Sequence, residues 1–321
     1  MRIAVTRRIF DDQLARIAAA GELRLWDSDL PPSPEELLEL LQGADGALTL
    51  LTDRIDGAVL DQWPNLKVVS NLAVGYDNID VPAATARGVA VCTTPDVLTD
   101  TTAEFTIALI FAVARQIVPG AHIAWEGGWK TWYPMRFLGR DLAGATLGIV
   151  GLGRIGRRVA ELGAAIGMQV IYADAFMDDD EFRQVELDEL LRVADIISLH
   201  TPLTEETNGL ISREALAAMK LDAILINTAR GPVVDTVALV EALEAGKLTG
   251  GVGLDVTDPE PLPADHPLYA FERVTIVPHI ASATHATRHE MARLATDNVL
   301  AVLQGTEPPN CLNPEVLSNG R

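Results

Sequence analysis

Three short segments in the second half of the chain carry side chains suited to proton transfer on an anionic substrate. Asn227-Thr-Ala-Arg230-Gly-Pro supplies a guanidinium, Leu254-Asp255-Val-Thr-Asp-Pro-Glu260-Pro a carboxylate, and Val277-Pro-His279-Ile-Ala-Ser282 an imidazole. Each follows directly on an apolar run of strand character. In open α/β sheets ligands bind beyond the carboxyl ends of the strands, so the three segments should converge on one rim. A 2-oxo acid presents a carboxylate and a ketone to such a rim. Arg230 would hold the carboxylate with a pair of charge-assisted hydrogen bonds and so orient the ketone. Reduction at C2 builds an alkoxide, and a proton donor must sit beside it. Histidine, with an ordinary pKa of about 6.5, can give and regain a proton near neutrality, which assigns that role to His279. Glu260 would accept from the other ring nitrogen, fixing the ring and favouring its cationic form. Ser282 follows closely enough to reach the same pocket. Taken singly, His279 could be a loop histidine satisfied by backbone, Arg230 a surface ion-pair partner and Glu260 a solvated acid between prolines. Their joint position at successive strand ends favours catalysis.

What must position these groups is a dinucleotide-binding βαβ unit. Thr146-Leu-Gly-Ile-Val-Gly151-Leu-Gly153-Arg-Ile-Gly156 ends an apolar run in a G-x-G-x-x-G fingerprint, and a second apolar run closes on Asp174. Gly151 allows the tight turn, Gly153 lets backbone N–H groups approach a pyrophosphate, and Gly156 lets helix and strand pack closely. Arg154 and Ile155 should lie along the pyrophosphate at the helix N-terminus. Asp174 would accept from the adenosine ribose diol. A 2′-phosphate would face that carboxylate, with Asp178, Asp179, Asp180 and Glu181 behind it. Like charges repel, so NAD(H) is expected over NADP(H). Pro202 should lie near the adenine side, Thr228 and Ala229 near the nicotinamide ribose, and Thr102 on the nicotinamide side. Asp255 is expected to shape the cofactor site near the nicotinamide, beside Arg230 and His279, more than to move protons.

The bulk properties narrow the remaining classes. A chain of 321 residues can bury two cores. A net charge of −20 argues against nucleic acid or an anionic membrane surface as partner, and focuses attention on individual arginines as anion sites. Cys92 and Cys311 are the only cysteines, too few for a disulfide framework, which fits a reducing cytoplasm. The N-terminus enters a strand-like run without the apolar stretch of a signal peptide, and no window approaches a membrane span. The expectation is a cytoplasmic protein with no metal site, whose His200, His266, His285 and His289 are structural or exposed.

Apolar runs alternate with helical patterns almost throughout, which gives α/β architecture with two Rossmann-like, doubly wound parallel sheets. Strands are expected at 2–6, 22–26, 46–51, 66–72 and 89–93, then at 147–150, 169–173, 195–200, 223–228, 251–255 and 275–278. Helices are expected at 33–41, 103–117, 154–166, 187–193, 213–219, 237–245 and 286–303. The fingerprint sits mid-chain, so another α/β unit precedes it. The last long helix should return to that first unit, making it discontinuous and flavodoxin-like: residues 1–98 with 288–321 as a substrate-binding domain, 99–287 as the NAD-binding domain. Asn71-Leu-Ala-Val74-Gly75-Tyr76 ends a strand in a turn whose backbone N–H groups could face a ligand, although an ordinary strand-to-helix turn has the same pattern. Trp125, Trp129 and Trp132 fall in an irregular stretch, 125–138, a cluster that a monomer rarely exposes. It reads either as packing under a loop or as a subunit interface.

The fingerprint, the Ala-Arg230-Gly segment, Asp255 with Glu260-Pro261, and Pro278-His279 together resemble the D-isomer-specific 2-hydroxyacid dehydrogenase family over nearly the whole chain. Within that family the segments 94–104, 127–134, 253–263 and 279–288 are most similar to the glyoxylate/hydroxypyruvate reductases. The resemblance implies reduction of glyoxylate to glycolate and hydroxypyruvate to D-glycerate, with Arg230, Glu260 and His279 in the roles above. It also implies Val74 and Gly75 as amide donors to the substrate carboxylate, and a homodimer in which Trp132 lines the partner's substrate pocket. Asp174 departs from those reductases that carry a small residue followed by Arg and use NADPH. Other readings are a dehydrogenase of another D-2-hydroxy acid such as 3-phosphoglycerate, which would need further basic residues at the pocket. An NADH-sensing binding protein lacks any evident docking arm here, and a hydrolase using NAD internally would want a lysine that these motifs do not adjoin.

Overall fold

In the computed structural model, which describes residues 1–318, the chain divides into two units, Met1–Leu98 with Thr284–Arg321 and Thr99–Ala283. The first unit holds β1 (Arg2–Val5), β2 (Glu22–Leu25), β3 (Gly46–Thr49), β4 (Val68–Asn71) and β5 (Ala90–Cys92). They pair in parallel in the order β2-β1-β3-β4-β5, a flavodoxin-like winding. β3, β4 and β5 are buried along their whole length, so apolar residues occupy successive positions, as at Ala47-Leu48, Val68-Val69 and Ala90-Val91, rather than alternating ones. The helix Pro34–Leu41 starts at a capping box: Ser33 Oγ accepts the Glu36 N–H at 3.2 Å and Glu36 Oε2 accepts the Ser33 N–H at 2.7 Å. The helix His285–Gln304 packs on β3, β4 and β5, closing the core of this unit from the far end of the chain.

The second unit holds β6 (Thr146–Val150), β7 (Gln169–Ala173), β8 (Arg183–Gln184), β9 (Ile196–Leu199), β10 (Ile224–Asn227), β11 (Gly251–Leu254) and β12 (Val274–Ile276). The order is β12-β11-β10-β9-β6-β7-β8, all parallel, with the strand order reversing at β6. Alternate residues feed two separate cores. Ile149, Ile196, Ile224 and Ile226 join the cluster with helices Thr99–Ala114 and Arg154–Ala165, whereas Val150, Ile197 and Leu225 join the cluster on the other face. The carboxyl ends of β6, β9, β10, β11 and β12 therefore lie in one row.

Two local features differ from expectation. The helix anticipated at 103–117 is Thr99–Ala114, and the chain then turns through Gln116 in the left-handed region (φ 50°) into a second helix, Ile117–Trp125, bent 64° from the first. That second helix is apolar on every side and has no periodicity to betray it. Its residues are all at least partly exposed, and the irregular aromatic stretch begins only after Trp125. β8 is two exposed polar residues added at the sheet edge, without any hydrophobic signal. No single helix among the described residues is long and apolar enough to cross a membrane.

The segment after the last long helix is tied to β5 through one buried amide. Asn313 Oδ1 accepts the Val91 N–H at 2.8 Å, and Nδ2 donates to the Val89 carbonyl at 2.9 Å and to Thr85 Oγ1 at 2.8 Å. Asn313→Ala would strand a buried N–H and a buried carbonyl on an edge strand. Urea unfolding of that variant should show a loss of about 2–4 kcal/mol for the first unit.

Candidate active site

The fingerprint forms a cradle at the end of β6. Gly151 has φ 91°, and a Cβ there would press on the His200 backbone at 2.9 Å. A Cβ at Gly156 would collide with the Gly151 carbonyl, so neither position accepts a larger residue. Gly153 caps the helix Arg154–Ala165, and a Cβ there would meet no atom within 4 Å. That open space lies at the N-terminus of a 12-residue helix, where backbone N–H groups and the helix dipole favour a phosphate. Gly153 and Arg154 are exposed and Ile155 half-buried, as a pyrophosphate-facing turn requires. These residues fit a dinucleotide.

Asp174 stands at the end of β7, beside the cradle. Its Oδ2 accepts the Leu152 N–H of the fingerprint at 2.6 Å, and its Oδ1 accepts the N–H groups of Phe176 and Met177 at 2.8 and 2.9 Å. The carboxylate thus organises two loops, a task the spacing argument missed; with about four acceptor positions it keeps capacity for a ribose hydroxyl. Two guanidiniums of the flanking helix and strand are committed to acids: Arg157 pairs with Asp179, Glu181 (3.1 Å) and Glu161 (3.3 Å), and Arg183 with Glu189 at 2.7 Å.

His200, at the end of β9, lies under the fingerprint against Gly151 and Gly156, and its Nε2 is 2.8 Å from Ser198 Oγ. Burial pushes its pKa down to about 3. Pro202 is exposed just beyond, its carbonyl accepting from Thr207 Oγ1 at 2.6 Å. Thr228 Oγ1, after β10, is 2.9 Å from Thr106 Oγ1, which donates to the Thr102 carbonyl at 2.8 Å. Thr102 is itself buried in the helix Thr99–Ala114, one turn from Thr106, whose bond to Thr228 ties that helix to the end of β10.

The three segments that carry Arg230, Glu260 and His279 abut at the ends of β10, β11 and β12. Asn227 folds the first of them, accepting the Ala229 N–H through Oδ1 (3.0 Å) and donating from Nδ2 to the Arg230 carbonyl (2.8 Å). Its own carbonyl takes the Asp255 N–H at 2.9 Å, and the Asp255 carbonyl takes the His279 N–H at 2.9 Å. Gly231 sits so tightly under the Thr257 carbonyl that no side chain fits, which seats the Arg230 loop on the Asp255–Glu260 loop. Arg230 is half-buried, with Nη1 donating to the Ala229 carbonyl at 2.8 Å. Glu260 Oε1 lies 2.7 Å from His279 Nδ1, both side chains partly open to solvent.

Asp255 is 1% exposed and does what the sequence did not disclose. Its two carboxylate oxygens accept the N–H groups of Ile280 (2.7 Å) and Ala281 (3.0 Å), gripping the chain immediately after His279. His279 is held between these bonds at φ 53°, a left-handed conformation that a non-glycine residue adopts only when its surroundings impose it. Ser282, half-buried, follows this clamp.

Other expected residues lie apart from this cluster in the chain. Val74 and Gly75 belong to the first unit, in the turn after β4, where Asn71 Nδ2 donates to the Gly75 carbonyl at 3.0 Å and to Asn78 Oδ1 at 3.1 Å. Trp132 is 79% exposed in the segment 117–138 of the second unit. That segment leaves and returns at one place, with the Arg140 N–H donating to the Ala114 carbonyl at 2.9 Å and Gln116 Nε2 donating to the Leu138 carbonyl. Among the described residues no group of three His, Cys, Asp or Glu is placed to hold a metal.

Residues 107–281 match the family model for the NAD-binding domain of D-isomer-specific 2-hydroxyacid dehydrogenases. The chain is 46% identical over 322 residues to a glyoxylate reductase of Korarchaeum cryptofilum, covering 98% of this chain and 97% of that protein. It is 47% identical to a glyoxylate reductase of Aeropyrum pernix, over 98% and 97% of the two chains. A Thermus thermophilus protein of known structure superposes with a TM-score of 0.93 at 50% identity, over 97% of this chain and 100% of that one. An NADPH-dependent glyoxylate/hydroxypyruvate reductase from Sinorhizobium meliloti, solved with NADP and malonate, superposes at 0.85 with 30% identity, over 97% and 96%.

Two measurements test this geometry. His200 is held neutral below its ordinary pKa, so its contribution to stability is present above about pH 6.5 and is lost as the pH falls toward about 3. His200→Gln should flatten the decline in urea midpoint across that window. Asp255→Asn should release the residue 279–281 backbone and lower kcat by about tenfold or more, with Glu260 and His279 themselves unchanged.

Proposed function

Because the chain belongs to the D-isomer-specific 2-hydroxyacid dehydrogenase family, we propose that it reduces glyoxylate to glycolate and hydroxypyruvate to D-glycerate, with NADH as the preferred reductant. The observation that carries this reading is the 2.7 Å Glu260–His279 pair, set beside the Arg230 loop at the ends of β10–β12 in the nicotinamide-binding unit. When bound, the reduced nicotinamide supplies the hydride. Arg230 grips the substrate carboxylate as a planar fork. Glu260 keeps the His279 ring oriented through Nδ1 and favours its charged form, leaving Nε2 to deliver a proton to the oxygen on C2 as negative charge develops there. Thr228 and Ala229 line the nicotinamide ribose, with Ser282 at the substrate and Pro202 at the adenine.

The NADH preference rests on Asp174. A 2′-phosphate at the end of β7 would meet its carboxylate, and Arg157 and Arg183 are already paired with acids. The homodimer rests on the exposed arm: Trp125, Trp129, Trp132, Met135 and Leu138, within one short segment, are all exposed, apolar area that an interface would cover. Trp132 then lines the partner subunit's substrate pocket.

Loss of NADH absorbance with glyoxylate and hydroxypyruvate tests the activity directly. His279→Ala should lower kcat by about 100- to 10,000-fold, and Arg230→Ala should mainly raise KM, by about tenfold or more. Wild-type turnover in His279→Ala would refute the assignment. For the cofactor, kcat/KM should favour NADH, and Asp174→Ser should shift the ratio toward NADPH by about tenfold; an enzyme that prefers NADPH from the outset overturns the reading. Sedimentation should give a dimer, and Trp132→Ala should keep the dimer while raising KM about 5- to 30-fold. A fully active monomer would exclude the interface.

A further inference from the structure

The two cysteines, 219 positions apart (311 − 92), lie face to face in the first unit. The chain after the last long helix runs back along β5 in the opposite direction. The Leu312 N–H donates to the Val91 carbonyl at 2.8 Å, while Thr93 donates to Asn310 Oδ1 from its hydroxyl at 2.9 Å and from its N–H at 3.3 Å. Asn313 completes the pairing on Val91 and Val89. The Leu312 backbone on Val91 and the Asn310 side chain on Thr93 bracket the two cysteines, which brings Cys311 alongside Cys92. The two thiols are neighbours, each the largest influence on the other's titration, and Cys311 Sγ also donates to Asn313 Oδ1 at 3.5 Å.

We infer that Cys92 and Cys311 form a peroxide-sensitive modification site, which closes to a reversible disulfide that staples the C-terminal segment to the edge of the first sheet. The roles of the two sulfurs follow from their surroundings. Cys311 is partly open to solvent, and its thiol is held below its usual pKa, first by the neighbouring Cys92 thiol and then, against the effect of burial, by the N–H groups of Asn313 and Val91. It is the thiolate that meets the oxidant. Cys92 is fully buried, and the neighbouring sulfur together with burial pushes its thiol up, so it remains protonated. With hydrogen peroxide as oxidant, the Cys311 thiolate attacks one peroxide oxygen and the O–O bond breaks. One oxygen stays on sulfur as sulfenic acid and the other leaves as hydroxide, which takes up a proton to become water. The Cys92 sulfur then attacks the sulfenic sulfur, and the S–S bond forms as its thiol proton and the sulfenic hydroxyl leave as a second water. In total two thiols lose two electrons and two protons, and one peroxide is reduced to two waters.

The full-length reduced protein, treated with a small excess of hydrogen peroxide, should go from two titratable thiols to none when assayed after denaturation. A non-reducing peptide map should show the Cys92 peptide joined to the Cys311 peptide within one chain, and dithiothreitol should restore both thiols. C92S, or C92A where the serine variant does not fold, should accumulate dimedone-reactive sulfenic acid at Cys311. Persistence of both thiols in the wild type, oxidation of Cys311 beyond sulfenic acid while Cys92 stays reduced, or chains cross-linked to one another would each overturn the proposal.

Discussion

The arrangement of the candidate site depends on one buried carboxylate. Asp255 ends β11 with almost no solvent contact, and burial is the largest influence on it, pushing its pKa above the usual carboxylate range. A charge in that position is tolerable only where donors surround it. The N–H groups of Ile280 and Ala281 provide them, and in doing so they determine where the chain after β12 must run. His279, the residue just before those donors, takes its left-handed backbone from this requirement rather than from any preference of its own. Its ring then finds Glu260 from the same loop that Asp255 begins. Positioning of the imidazole is thus a by-product of satisfying an acid that never needs to touch the substrate.

The elements that position the site were legible in the residues because each leaves a periodic or steric mark. Strands buried on both faces appear as continuous apolar runs, and the end of each run located Arg230, Asp255, Glu260 and His279. The fingerprint glycines were legible because a Cβ at Gly151 or Gly156 would strike backbone. What escaped was of another kind. The hydrogen bonds from Leu152, Phe176 and Met177 to Asp174, and those from Ile280 and Ala281 to Asp255, join a side chain to backbone brought close only by folding. No spacing rule encodes them. The helix Ile117–Trp125 escaped for a simpler reason: with no polar face it has no helical period, and the break at Gln116 carries neither Gly nor Pro.

Charge is distributed in keeping with the same logic. A chain of net charge −20 spends most of its arginines in ion pairs with neighbouring acids, as at Arg157, Arg158 and Arg293. Such exposed pairs add little to stability. They do neutralise cationic charge at those positions.

The first unit is assembled from both extremes of the chain, with its sheet encoded before residue 98 and the helix His285–Gln304 that covers β3–β5 encoded after residue 284. On the ribosome, the five strands emerge long before the wall they pack against. The second unit, uninterrupted from Thr99 to Ala283, has everything it needs for a complete core by the time translation reaches that helix. The sequence of the second unit is thus complete before that of the first, whose five strands gain their covering helix only once residues beyond 284 have been made.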